Sequence, residues 1–462
     1  MAALLASPTY VGDLGNGLIC RWSTHTDTEK IGHLMAFVFR NSPDDPLRPS
    51  EMDEARVVMS PEFPFMGAGD FAVVEDTSRP ERPLVACTSL FRHQWSYAGV
   101  PFGVGRPEEV ATDPAYRNRG LVRALFAMIH ARSAEEGHLA QAITGIAYFY
   151  RQFGYEYVLD LDGNRTTSVA AIAENKVDQP EPITLRPASI DDVPSLQVLY
   201  NQRRSASLVW HETSESFWRY HVRSWNDPAV AGKDATLVGL GKRLYMIVNG
   251  AGQTYGFTWL AAKRWDASLN VLAVELFPNV NWQMVLPSLL RALRAQGEVT
   301  PKMSEQTAPF SDICFRLGRA HPAYAVLGES LAPRYEPPYA WYLRVPDIPA
   351  FLRHIASVLE ERLASSVLTG YTGELKVDLY RAGLRVQFEQ GKLALVEPWQ
   401  SPPFGDHADA GCPALTFLQL LFGYRTLAEL RAIFPDVWAN EGVRLLIDIL
   451  FPARPSTVYA LG

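Results

Sequence analysis

The chemistry most directly readable from this chain lies between Glu109 and Tyr155. Thr112-Asp113-Pro114-Ala115-Tyr116-Arg117-Asn118-Arg119-Gly120-Leu121-Val122-Arg123 reads as the end of a strand, a basic turn and the start of a helix. Pro114 removes a backbone donor and biases Asp113 toward extended geometry, which ends the strand. Gly120 permits a tight turn, and Leu121, Leu125, Met128 and Ile129 then recur at helical spacing. The first turn of a helix leaves backbone N–H groups without carbonyl partners and carries partial positive charge. Arg117, Arg119 and Arg123 crowd that turn against the macrodipole, and an anionic ligand would explain them. A pyrophosphate suits such a set of donors. Further on, Tyr148, Phe149, Tyr150, Phe153, Tyr155 and Tyr157 form an aromatic run. Most of it reads as core. If the run is a strand, Tyr148 and Tyr150 share a face.

Arg117-x-x-Gly120-x-Val122 is similar to the Gln/Arg-x-x-Gly-x-Gly/Ala acyl-CoA loop of the GNAT superfamily of N-acetyltransferases. Tyr150-Arg151-Gln152-Phe153-Gly154-Tyr155 resembles that superfamily's closing strand–helix signature. Together the two segments most resemble the Eis (enhanced intracellular survival) group. There a hydrophobic residue stands at the sixth loop position, as Val122 does here. The resemblance implies acetyl-CoA as cosubstrate and no metal. It places the cofactor on the backbone of Val110, Ala111 and Thr112. It adds the turn Arg117, Asn118, Arg119, Gly120, Leu121, Val122 and Arg123, with Gly145 and Ile146. It implies Tyr150 as general acid and the chain's own terminal carboxylate, here on Gly462, as base. Members of the group commonly end in an aromatic residue, whereas this chain ends in glycine. Glu109, beside the cofactor strand, and Asp27, in the first loop, are alternative carboxylates. Asp44 and Asp45 lie in a Pro-rich loop and read as solvated.

At 462 residues the chain is long enough for about three domains of ~150 residues. It is 47% hydrophobic and 20% charged, ordinary globular material. A net charge of -7 argues against a nucleic-acid binder, which would show a basic excess. Cys20, Cys87, Cys314 and Cys412 are far apart and read as buried free thiols. No His-x-x-x-His or His-x-His pair suggests a metal. The N-terminus lacks the basic region of a signal peptide, and no apolar run reaches the ~18 residues of a membrane span. The expectation is a soluble, cytoplasmic protein. Gly103-Val104-Gly105 lacks the third glycine of a dinucleotide fingerprint, and Arg203-Arg204 and Trp210-His211-Glu212 read as surface and core.

Two segments repeat a pattern of strand, acidic-capped turn and apolar helical stripe. Ile19 to Asp27 precedes Ile31, Leu34, Met35 and Val38; Ile183 to Asp192 precedes Val193, Leu196, Leu199 and Tyr200. Leu121-Val122-Arg123-Ala124-Leu125 is echoed by Leu289-Leu290-Arg291-Ala292-Leu293. Before that echo, Asn279 to Ser288 contains neither glycine nor arginine, so the second copy lacks a phosphate turn. The fold class expected is α/β (α+β), with two tandem GNAT folds. The active copy spans 1–175 and a degenerate one 183–333. A third domain spans 338–462, where Leu375 to Leu379 and Leu384 to Phe388 alternate as antiparallel strands. It resembles a sterol-carrier-protein-like domain. The reading is an N-acetyltransferase acting on a small-molecule amine, with aminoglycosides or polyamines suggested by the resemblance. The family also implies a homo-oligomer, possible as a hexamer, with neither nucleic acid nor membrane as partner. A protein lysine as acceptor, or a non-catalytic lipid carrier with a vestigial transferase domain, stays open.

Overall fold

The computed structural model describes residues 2–176, 179–226, 241–303, 308–401 and 407–459. Three mostly antiparallel sheets, each flanked by helices, make a mixed α/β architecture. In the first sheet the strands Val11–Gly15, Leu18–Trp22, Phe71–Asp76, Leu84–Tyr97 and Val100–Thr112 follow one another antiparallel. Val100–Thr112 then meets Ala140–Ile143 in parallel, through Val104 opposite Ala140 and Gly105 opposite Gln141. No further pairs form on that side among the described residues. The half of the strand nearer Thr112 therefore keeps an open edge.

The helix Leu121–Glu135 bridges these two strands. Its expected stripe is buried: Leu121, Leu125, Met128 and Ile129 pack on Leu18, Trp22, Val74 and Tyr116. Burial of that face anchors the helix, so its N-terminal turn is held from behind.

The repeated pattern of capped turn and helix is present at both positions. Thr24 and Asp27 form a capping box ahead of the helix Thr28–Val38; Ser189 and Asp192 form one ahead of Val193–Asn201. An arginine on each preceding strand grips the capping carboxylate in a two-pronged ion pair. Arg21 holds Asp27 and Arg186 holds Asp192 at the same sequence separation. The matching helix of the second copy, Trp282–Val299, starts from an Asn281 cap without a left-handed glycine.

Strands also cross between the units. Asn164–Ser168 leaves the first unit and pairs with Asp312–Phe315 in the second sheet. Tyr339–Arg344 enters the first sheet between Ala140–Ile143 and Glu156–Leu161. Its Trp341, Tyr342 and Leu343 are buried there. Val209–Glu212 of the second unit extends the first sheet along Leu84–Tyr97.

Beyond residue 345, Gly373–Asp378, Gly383–Glu389 and Lys392–Pro398 form an antiparallel meander whose burial alternates. Helices including Ile348–His354, Ala414–Leu421 and Glu441–Leu450 cover it. All four cysteines are buried and unpaired. No described helix is long and apolar enough to cross a membrane.

Candidate active site

The basic turn adopts the geometry its residues suggested. Pro114–Tyr116 is a single 3-10 turn, with Asp113 accepting from the Ala115 N–H at 2.8 Å. Arg117 is extended, Asn118 is left-handed at φ +63° and Gly120 is left-handed at φ +76°. A Cβ on Gly120 would meet nothing within 4 Å, so glycine is there for its backbone conformation and not for space. The first N–H to bond back across this turn is that of Ala124, to the Gly120 carbonyl. The N–H groups before it face outward at the helix start. Arg119 lies over the Tyr116 ring at 4.8 Å, and Arg123 reaches Gln152 Oε1 at 3.3 Å. Arg117, Asn118, Arg119, Gly120 and Arg123 are exposed, whereas Leu121 is buried in the core.

The turn opens on a cavity of about 570 Å³. Val110 and Thr112 of the strand Val100–Thr112, Val122, Ile146 and Tyr150 share its wall with the turn. Ala111 points the other way, into the core. Thr112 Oγ1 is buried without a hydrogen-bond partner. An outward-facing helix start, an open strand edge and an orphaned hydroxyl around one cavity fit a ligand with a pyrophosphate and an amide-bearing arm.

Tyr150 does not lie on a strand. It sits in the 3-10 helix Phe149–Phe153, which Tyr148 enters at φ +67°. That turn separates the two tyrosines: Tyr148 is 73% exposed, while Tyr150 is 4% exposed and lines the cavity. The expectation that they share a face fails because the backbone turns left-handed at Tyr148. The Tyr150 ring stacks on Phe126 at 5.8 Å and meets Tyr342 edge-on at 5.6 Å. A Cβ on Gly145 would come within 2.7 Å of that ring, which explains glycine at 145. Gly145 thus backs the tyrosine. Ile146 is exposed at the cavity mouth. Burial, then the nearby Glu108 carboxylate, pushes the Tyr150 phenol above its ordinary value.

On the side of Val100–Thr112 that pairs with Leu84–Tyr97 the ladder slips. Cys87 faces Ala111 but Ser89 faces Glu108, so Glu109 and Val110 share one partner position. Glu109 sits in this bulge at φ +52°. Its carboxyl is held well above the usual range by burial first, then by Glu54, Glu108 and Glu51. Glu108 is also raised by burial, against the pull of Arg106 at 2.6 Å. Four carboxylates thus gather between the helix Pro49–Val58 and the bulge. The second unit closes this region. Burial and Arg106 bring Lys242 down to about 8, and the ring of His211 lies 4.6 Å from that of His93. Burial keeps both imidazoles neutral, with His211 lowered to about 3. These residues come from five separate elements, so no sequence spacing announced them. His211, read as core, is buried but faces this cluster.

Asp27 is occupied elsewhere: it caps its helix and pairs with Arg21, which leaves no lone carboxylate for a base. Gly462 lies outside the described residues. The chain before it is described to Tyr459; Thr457 bridges to Asp160, and further contacts are to residues 207–208 and Trp341. Pro455 accepts from Leu208, Thr457 donates to Ser207 Oγ, and the Val458 carbonyl accepts from Trp341 Nε1 at 3.0 Å. The Trp341 ring in turn lies 4.9 Å from the Arg106 guanidinium, which grips Glu108. Tyr459, the last described residue, packs against Tyr200 and Trp210.

Residues 20–158 match the family model described as an acetyltransferase (GNAT) domain. Comparison with curated proteins gives no match. The fold as a whole is shared with solved structures of low identity. A conserved protein from Enterococcus faecalis, described as a probable N-acyltransferase, is 12% identical with a TM-score of 0.64, over 96% of this chain and 99% of that one. A GCN5-related N-acetyltransferase from Kribbella flavida is 17% identical with a TM-score of 0.62, over 96% and 98%. An Eis protein from Mycobacterium abscessus is 14% identical with a TM-score of 0.54, over 94% and 98%. The protein carries a GNAT acetyltransferase domain and is an enzyme of the N-acetyltransferase class; domains of this kind use acetyl-CoA.

Proposed function

We propose that this protein transfers the acetyl group of acetyl-CoA to the amine of a small cationic molecule, of the aminoglycoside or polyamine kind, by direct attack. One observation carries the reading: the phosphate-type turn at Gly120 and the Tyr150 phenol line one cavity. The turn's N–H groups and Arg117, Arg119 and Arg123 hold the pyrophosphate, while Val110 to Thr112 offer backbone to the pantetheine arm. Bound there, acetyl-CoA supplies an activated acyl group. Tyr150 then stands where the sulfur leaves and donates its proton.

The acceptor enters from the carboxylate side. Glu51, Glu54, Glu108 and Glu109 attract an ammonium group. The attacking amine must be neutral, so one base takes its proton. Gly462, by the Eis resemblance, and Glu109, by its place in the cluster, are the two candidates. His211 and Lys242 close over this side, which favours a compact acceptor above an extended peptide. The carrier reading finds little support, since the apolar pocket of the third unit, lined by Leu375, Phe417 and Phe451, has about 10 Å³, room for one water at most.

In this account residues 1–175 form the active unit and 183–333 a second copy that shapes the acceptor side. Residues 338–462 form a sterol-carrier-protein-like unit. By the Eis resemblance the protein works as a cytoplasmic homo-oligomer. A thiol-release screen with acetyl-CoA over polyamines, aminoglycosides and lysine peptides tests the reading. Turnover with a small polyamine or aminoglycoside supports it; turnover confined to peptides overturns the acceptor assignment.

A further inference from the structure

A second cavity, of about 580 Å³, lies where the three units meet. Its wall is formed by the hairpin tip at Ala98 and Gly99, the turn Asn201 to Ser207, the helix Ala356–Ala364 and the tail at Arg454. Three guanidinium groups converge on it, one each from the second unit, the third unit and the tail. Arg204 donates to the Gly99 carbonyl at 3.2 Å and pairs with Glu212. Arg454 donates to the Ser205 carbonyl. Arg362 donates through Nη1 to Tyr97 Oη at 3.2 Å and to the Leu450 carbonyl, but its Nη2 is buried without a hydrogen-bond partner. The one carboxylate on the wall, Glu361, is exposed.

Arg204 is paired with Glu212, but no ion pair is formed by Arg362 or Arg454 among the described residues, and a buried guanidinium N–H without an acceptor is costly. A multi-oxygen anion answers both, because planar guanidinium groups match carboxylate and phosphate oxygens in pairs. We propose that this junction binds a small multi-oxygen anion, a phosphate or a dicarboxylate. The site is separate from the Gly120 turn and does not depend on the transferase reading. Its occupant has a mechanical consequence. Arg454 begins the segment whose Pro455, Thr457 and Val458 are hydrogen-bonded to the second unit and to Trp341. An anion shared by Arg204, Arg362 and Arg454 clamps that tail between the units.

The test is calorimetric titration of the full chain with inorganic phosphate and, separately, with succinate at constant ionic strength. CoA is held saturating so that the Gly120 turn does not compete. Saturable binding of one anion per chain is expected, and the tighter of the two names the class. Arg204→Gln and Arg454→Gln should each weaken it roughly tenfold or more, the loss of one charge-assisted contact. Retained CoA affinity certifies each variant as folded, and if one fails that control the other carries the test. Amide exchange across 454–459 should slow with the anion present. Binding of neither anion, equal affinity in folded variants, or unchanged exchange in the tail would overturn the proposal.

Discussion

Replacing Tyr150 with phenylalanine removes one oxygen and little else. The ring keeps its contacts with Phe126 at 5.8 Å, Tyr342 at 5.6 Å and Tyr155 at 6.3 Å. No described protein group is hydrogen-bonded to the hydroxyl, so folding stability should change by less than about 0.5 kcal/mol. Catalysis should change far more. A positioned acid contributes roughly 10²–10⁴ in rate, which is about 3–5 kcal/mol of barrier. Burial and Glu108 make Tyr150 a weaker acid than a free phenol. Its proton is therefore kept until charge builds on the sulfur, and that sulfur's basicity is raised by the same dry surroundings. The assay is thiol release at saturating acetyl-CoA and amine, with CoA affinity by calorimetry and a thermal melt on the same variant. The account expects kcat to fall by that factor with affinity and melting temperature nearly unchanged. The exposed Tyr148, changed to phenylalanine, should be milder. A Tyr150→Phe enzyme within twofold of wild type refutes the role; a large loss in Tyr148→Phe alone moves it to Tyr148.

Three further outcomes follow from the site. In Gly120→Val the left-handed backbone costs ~1–2 kcal/mol for a side chain, and the turn should relax away from it; CoA affinity should fall by roughly a hundredfold or more as two charge-assisted N–H contacts are lost, and unchanged affinity by calorimetry would remove the turn from the binding site. His93, His130 and His211 are held neutral by burial, the last two at about 3. The unfolded chain therefore binds more protons below ~6.5, and stability is full above that value and lost as pH falls toward 3. The three rings together should contribute a slope of up to about 4 kcal/mol per pH unit in urea melts between pH 6 and 4.5, opposed by the raised carboxyls of Glu108 and Glu109; His211→Asn should flatten the histidine share, and an unchanged slope in that variant would mean that ring is solvated. A peptide tag after Gly462 turns its carboxylate into an amide, so turnover should drop while CoA binding survives; wild-type turnover leaves Glu109 as the base.

Local signals in the chain translated into structure and distant ones did not. Gly120, Pro114 and the stripe from Leu121 act within a few residues, and the turn they describe is present. The capping acids Asp27 and Asp192 were visible as caps, but the arginines that hold them become meaningful only when strand and turn fold together. The crossing of Asn164–Ser168 and Tyr339–Arg344 between sheets depends on which open edge each strand finds, and nothing near those residues encodes it. Tyr148 was misplaced because an aromatic run fits a strand and a 3-10 turn equally well. The carboxylate cluster escaped notice because Glu109 is aimed by a one-residue bulge and its neighbours come from remote elements.

The central claim is that one cavity, built on the Gly120 turn of the first copy, holds the acyl donor. Calorimetric titration of the full chain with acetyl-CoA measures it directly. The second copy starts its corresponding helix at Asn281 with no left-handed glycine and no arginine ahead of it, so the account predicts one acetyl-CoA per chain. Two per chain, or none, would contradict it.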